Sequence, residues 1–226
     1  MLLDWTTTEA VIAGSRLCLL YGPPGTGKTT AAVRAGSPGS FYNVTLTDET
    51  PAAELRGHYI PADGNFVWQD GPAMRAFREG TRLVLNEIDH ASGDALDFCH
   101  CLLDDPGIAA ITLPTGETVH PSPGFTVVAT MNGEPGDLPP AIRDRFAVAI
   151  EVTEPHPDAI AGMPEAVQDA IRGTVGTDDD EQRTSLRAWR SYLDLADKVG
   201  DETAARAVFG IRAGEILAAL KLADER

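Results

Sequence analysis

Gly22-Pro23-Pro24-Gly25-Thr26-Gly27-Lys28-Thr29 satisfies G-x-x-x-x-G-K-[ST] at every fixed position, and the segments on either side of it decide the fold. Arg16–Tyr21 (RLCLLY) is a short apolar run of the kind a buried parallel strand needs. Thr29–Ala35 has helical composition. A strand, a glycine-rich turn and a helix in that order make a phosphate cradle. The glycines let the loop wrap so that backbone N–H groups point inward, and a helix N-terminus favours an anion. Gly22 through Thr30 are therefore expected to bind a nucleotide. Lys28 would place a point charge on the β- and γ-phosphates, and the Thr29 hydroxyl would ligate Mg²⁺.

Four further β-rich runs follow: Ser40–Leu46, Thr81–Ile88, Phe125–Met131 and Phe146–Val152. Between them lie helical patterns at Pro51–Arg56, Pro72–Glu79, Gly93–Leu103 and Pro139–Arg145. Gly57–Gly71 reads as an interruption punctuated by Gly and Pro, and Ile111–Val119 as a hairpin. Strands alternating with helices predict an α/β fold: a P-loop NTPase with a parallel five-stranded sheet covered on both faces. After Glu154 the segment EPHP reads as a linker, and no strand pattern remains. Helices are expected at Pro164–Arg172, Glu181–Val199, Glu202–Val208 and Ile211–Leu222. The expected division is thus an α/β nucleotide-binding domain over 1–154 and a small helical lid over 155–226. The acidic run Asp178–Glu181 reads as solvent-facing charge before a helix start.

Composition narrows the function classes. Acidic residues outnumber basic ones 34 to 18, for a formal charge of −16. That balance speaks against direct nucleic-acid binding, which needs clustered Lys and Arg, and only Lys28, Lys198 and Lys221 are lysines. Cys18, Cys99 and Cys101 match neither a disulfide framework nor a zinc spacing. Cys99-His100-Cys101, flanked by Phe98 and Leu102, reads as one wall of a helix. No signal peptide or membrane-spanning run is visible, so a cytoplasmic protein is expected.

Hydrolysis needs a second strand that ends in polar groups, because ligands bind at the carboxyl ends of such strands. Leu83-Val84-Leu85-Asn86-Glu87 supplies one. Glu87 is the candidate general base. Asn86 occupies the place where a carboxylate usually holds the Mg²⁺ water shell; its amide can accept from a metal-bound water but brings no charge. Asn132 ends the fourth strand, in ATMN, and would sense the γ-phosphate if that strand lay between the other two. Arg143 and Arg145 in LPPAIRDRF are candidates to reach the γ-phosphate of a neighbouring subunit, Arg145 being favoured because Phe146 anchors it. In the lid, Arg187 is the candidate to fold over the phosphates in cis, with Arg183 and Arg190 as rivals.

GPPGTGKT, LVLNEIDHAS, PTGETVHPSPGF, VVATMN and LPPAIRDRF, in this order, resemble the AAA+ ATPases of the MoxR and dynein-related group. Trp68–Gly80 resembles its CbbQ/NorQ/GvpN branch in particular. The resemblance implies ATP and Mg²⁺ as ligands, a hexameric homo-oligomeric ring with ATP between subunits, and a protein client, often one with a von Willebrand A domain. The family's second-helix insert maps to Gly57–Gly71 and its pre-sensor hairpin to Ala109–His120. His58, Tyr59, Phe66 and Trp68 then become candidate client contacts. Asn86 departs from the more usual Asp. Two alternatives stay open: a GTP-driven motor subunit of a restriction-type system, which shares Thr130-Met131-Asn132, and a nucleotide-gated scaffold with little hydrolysis.

Overall fold

The computed structural model describes residues 3–174 and 184–224. The chain divides into two compact units, one of Met1–Gly22 with Ala31–Glu151 and one of Pro23–Thr30 with Val152–Arg226. Arg183 and the acidic run Asp178–Glu181 lie outside the described residues, as does the start of the helix expected from Glu181.

The first unit is built on β1 (Leu17–Tyr21), β2 (Phe41–Thr45), β5 (Arg82–Asn86), β8 (Thr126–Thr130) and β9 (Val148–Glu151). These five form one sheet in the order β2-β5-β8-β1-β9, with every pairing parallel. β5 is buried along its whole length and β1 along all but its last residue, which is why LCLLY and the Leu83–Leu85 centre of β5 read as continuous apolar runs rather than alternating ones. Helix α1 (Trp5–Gly14) precedes β1, and α2 (Lys28–Arg34), α3 (Ala52–Arg56), α4 (Pro72–Glu79), α5 (Gly93–Leu103) and α6 (Pro140–Arg143) lie between successive strands of the sheet. α4 starts on Pro72 at its first position and ends on the left-handed Gly80, the stop and start chemistry that bounded it in the sequence. One core unites Leu19, Leu85, Val127 and Phe146 with Met74, Phe77 and Leu102 from the helices. The C-terminal half of α2 is tied to the sheet by Arg82, which is buried and donates to the carbonyls of Ala32 (3.1 Å) and Ala35 (2.6 Å).

Gly57–Gly71 is not an irregular interruption. It is an antiparallel hairpin, β3 (Gly57–Ala62) with β4 (Asn65–Asp70). Asp63 and Gly64 both take positive φ, 49° and 79°, as a two-residue turn between twisted strands requires. Pro61 argued against a strand, but in a two-stranded ribbon its missing N–H faces no further strand. β6 (Ile111–Thr112) and β7 (Thr118–Val119) make the second, expected hairpin.

The second unit holds α7 (Pro157–Ile160), α8 (Glu165–Thr174), α9 (Leu186–Val199), α10 (Asp201–Phe209) and α11 (Ala213–Asp224). α7 begins at the last residue of EPHP and adds a helix the sequence did not lead one to expect: His156 caps it, its ring accepting from the Asp158 N–H at 3.1 Å. The helices pack around Trp189, which is fully buried against Tyr192 and Phe209.

Candidate functional site

Gly22, Gly25 and Gly27 carry φ values of 119°, 81° and 93°, so the loop turns through left-handed backbone three times in six residues. At Gly27 a Cβ would stand 2.6 Å from the Cβ of His156, so this position excludes a side chain on two counts. His156 also donates its N–H to the Thr26 carbonyl at 2.8 Å. Thr26 is fully buried and Lys28 nearly so, the ammonium donating to the Pro23 carbonyl at 2.7 Å. Lys28 opens α2, while Thr29 is exposed and Thr30 half-buried. The loop is therefore a preformed glycine cradle with a cation folded over it, and it fits a polyphosphate.

At the other strands the carboxyl ends carry the polar groups. β8 lies between β1 and β5, which meets the topological condition set for Asn132. Asn132 itself is exposed just past β8, its N–H 3.4 Å from Asp89 Oδ2. Asn86 is buried. Its Nδ2 donates to Asn43 Oδ1 at 2.5 Å and to the Val44 carbonyl at 3.3 Å, while its Oδ1 accepts from the Thr130 hydroxyl at 3.3 Å. An amide suits that setting, since a carboxylate could donate to neither β2 acceptor. For Mg²⁺, Thr29 offers a hydroxyl and Asn86 an uncharged amide oxygen. Among the described residues no group of three His, Cys, Asp or Glu side chains stands ready for another metal.

Glu87 has φ 56° and ψ 48°, left-handed backbone that costs a non-glycine residue about 1–2 kcal/mol. Asn86 before it and Ile88 after it are both buried, so the kink turns the Glu87 side chain away from the sheet while its neighbours stay inside. Its carbonyl accepts from His90 at 2.9 Å, closing the short turn Ile88–His90, and its N–H points to the Thr130 hydroxyl at 3.4 Å. The half-buried carboxylate borders a cleft of about 520 Å³ with Thr47, Asp48, Asp89 and His90.

Arg145 is engaged within its own chain, donating to Asp104 Oδ1 at 2.7 and 3.1 Å and to the Ala141 carbonyl at 2.6 Å. Arg143 is exposed at the end of α6. In the second unit Arg187 is exposed in the first turn of α9, whose capping Ser185 lies so near Gly25 that a Cβ there would meet it at 3.1 Å. Arg190 donates to the Ala159 carbonyl at 3.0 Å. Of the two candidate arginines described there, Arg187 is the one set beside the cap that abuts the loop.

Residues 18–146 match the model of the AAA domain, dynein-related subfamily. The chain belongs to that family. It is 41% identical over 159 residues to Protein NorQ of Paracoccus denitrificans, covering 66% of this chain and 57% of that one. It is 40% identical over 139 residues to the denitrification regulatory protein NirQ of Pseudomonas aeruginosa, covering 57% and 51%. This chain thus spans little more than half the length of these curated relatives. Among solved structures, the Holliday junction branch migration motor RuvB of Thermotoga maritima aligns with a TM-score of 0.53 at 16% identity, over 96% of this chain and 68% of that one. At such identity the likeness speaks to fold alone.

In this AAA domain the two hairpins present different surfaces. Phe66 and Tyr59 are 76% and 44% exposed, and His58 is exposed as well. Trp68 is half-buried against the core, edge-on to Tyr59, with its Nε1 donating to Asp70 Oδ1 at 2.6 Å. Arg78 on α4 joins both hairpins. It donates to Asp70 Oδ2 at 2.7 Å and pairs bidentately with Glu117, in the turn of the second hairpin, at 2.6 and 2.7 Å. These bonds raise the Arg78 pKa and hold the Glu117 carboxyl below its ordinary value. Cys99 is buried on the inner face of α5, and burial pushes its thiol up to about 12, as it does that of Cys18.

Sequence reasoning passed over Asn43, Thr130 and His156. The first two carried a signal: each is a lone polar residue inside an apolar strand, in FYNV and VVATM. His156 carried none, because only the fold brings it against Gly27.

Proposed function

We propose that this AAA domain is an ATP-hydrolysing motor that assembles with copies of itself into a ring, six-membered by family expectation, and remodels or activates a protein client. The functional division proposed is an α/β nucleotide domain over 1–154 and a lid over 155–226. The observation that carries the reading is Glu87, held in a strained kink at the end of β5, one strand away from the strand that leads into the glycine cradle. Strain of this kind persists where the surroundings over-determine it and clusters at functional sites.

In the proposed reaction Gly22–Thr30 and Lys28 hold the phosphates, and Asn132 orients the attacking water beside the γ-phosphate. Glu87 takes a proton from that water as its oxygen attacks phosphorus. The bond to the β-phosphate oxygen breaks, and ADP leaves. Mg²⁺ would be held by Thr29 and, through water, by Asn86, and would supply positive charge to the phosphate oxygens. Arg187 would act in cis. Arg145 or Arg143 would act on a neighbour's phosphates, but Arg145 must first exchange Asp104 for them, whereas Arg143 is already exposed. NirQ bears the name of a regulatory protein, and a regulatory client is proposed here by analogy. A von Willebrand A domain protein is the candidate, with His58, Tyr59, Phe66 and Trp68 on the side that meets it.

The test is ATP turnover against protein concentration with mass measured alongside, using ATP and GTP in parallel. Specific activity should rise as rings form. Arg143→Ala or Arg145→Ala should lower it by about 10³-fold or more and poison mixed rings. A fully active monomer indifferent to both arginines would sink the ring mechanism. One observation favours a second reading, a scaffold that binds ATP but scarcely hydrolyses it: Asn86 brings no charge and bonds inward to β2. ATP-dependent assembly with slow turnover at every concentration would select it.

A further inference from the structure

The strand VVATM is apolar apart from Thr130, which is 3% exposed, and a valine would have filled the same space. The hydroxyl there needs an account, because a buried polar group is costly unless it is bonded. Its two partners are both on β5 or its end: it accepts from the Glu87 N–H at 3.4 Å and donates to Asn86 Oδ1 at 3.3 Å. A hydroxyl has one proton and two lone pairs, so it can serve both at once. Asn86 is held in turn by Asn43 and the Val44 carbonyl on β2. Three neighbouring strands are thereby connected through side chains at the level where Glu87 leaves the sheet.

We infer that the Thr130 hydroxyl is a positioning group for Glu87. It accepts from the Glu87 N–H, which the left-handed kink turns off the β5 ladder, and it orients Asn86 with the same oxygen. Valine, of the same shape, would fill this place and leave the Glu87 N–H without that acceptor. The kink would then relax toward extended backbone, swinging the carboxylate away from its present direction. The inference rests on the reading of Glu87 as the general base, but its backbone half stands independently.

The experiment compares the full chain with Thr130→Val, Thr130→Ser and Thr130→Ala. Three quantities are measured: ATP turnover, affinity for a fluorescent ATP analogue, and amide hydrogen exchange of the peptide spanning Glu87 to His90. Valine should lower kcat on the order of 10–100-fold, the range expected when a catalytic group is misplaced by about an ångström. Nucleotide affinity should stay within about twofold of wild type, since Thr130 lies outside the glycine cradle. Exchange at the Glu87 peptide should quicken. Serine keeps the hydroxyl and should restore both readouts. Alanine repeats the hydroxyl deletion without the added methyl, should valine not fold.

If valine and alanine both leave turnover and exchange unchanged, the inference is overturned. Loss of affinity in parallel with turnover, or unfolding with valine and alanine but not serine, would assign the hydroxyl a folding role and overturn it equally. Wild type without turnover would sink the hydrolysis reading instead, and the exchange measurement would still decide the positioning of Glu87.

Discussion

At the carboxyl end of the sheet, Asn86 and Thr130 are buried and bond to each other, to Asn43 and to the Glu87 backbone. At the β3–β4 hairpin, in the same unit, Phe66 and Tyr59 stand largely in solvent, and the polar groups that stiffen the hairpin gather at its base around Arg78. The first region puts polar side chains inside and the second puts aromatic ones outside, each against its ordinary preference. On the proposed reading both inversions serve function, of different kinds. A buried, fully bonded polar network fixes direction, which proton transfer needs. An exposed aromatic ribbon on a firm base offers contact area, which the proposed client would need.

The comparison breaks hardest at Glu87. Glu87→Gln should reduce turnover by about 10²–10⁴-fold while nucleotide binding and assembly survive; full activity in that variant would mean that the sheet end is merely structural. Next comes Arg78→Ala, which removes the joint between the hairpins. Amide exchange should accelerate in both Gly57–Asp70 and Ile111–Val119, and basal turnover should change much less. Acceleration in one hairpin alone would show that Arg78 does not couple them.

The same joint has a pH signature. The hydrogen bond from Arg78 holds the Glu117 pKa below its reference value of 4.5. A depressed carboxylate contributes stability that is present above the unfolded value and lost as pH falls through the folded one. Protection of the second hairpin should therefore stay level from neutral pH until it nears that reference value, and fall as pH drops from there through the lower folded one. A fall already near neutrality would assign the coupling to another group. Smaller still is Phe66→Ser. With the side chain so exposed, thermal stability should shift by no more than about 0.5 kcal/mol, and client activation, once a client is in hand, should be the property that suffers. A large loss of stability would show that Phe66 packs rather than presents. Finally, alkylation with iodoacetamide of the native chain should spare Cys18 and Cys99, whose buried thiols titrate near 12, and prompt labelling of either would disprove their burial.

Much of this was legible in the chain alone because it is local. Gly22–Thr29 carries its own conformation in its glycines, and the strand that leads into it, LCLLY, is apolar from end to end. Leu83–Glu87 announced a buried strand with a polar end. Pro72 and Gly80 bounded α4 to the residue. The β3–β4 hairpin was missed although Asp63-Gly64 is a turn signal, because Pro61 and the neighbouring glycines outweighed it. α7 was missed because EPHP carries two prolines, and Pro157 in fact serves at the first helical position.

What the sequence determined by itself is the chemistry available: a glycine cradle, a carboxylate, an amide in place of a second carboxylate, and arginines that follow. These are properties of residue type and short spacing, readable without long-range contacts. What only the tertiary structure decided is which groups share their hydrogen bonds. Thr130 meets Glu87 across 43 residues and Asn43 meets Asn86 across the same interval, because β8 and β2 flank β5. Arg145 is engaged with Asp104 while Arg143, which ends α6 two positions earlier, is exposed. Strand order and helix phase set such pairings, and both come from packing the whole core at once rather than from any segment of the chain.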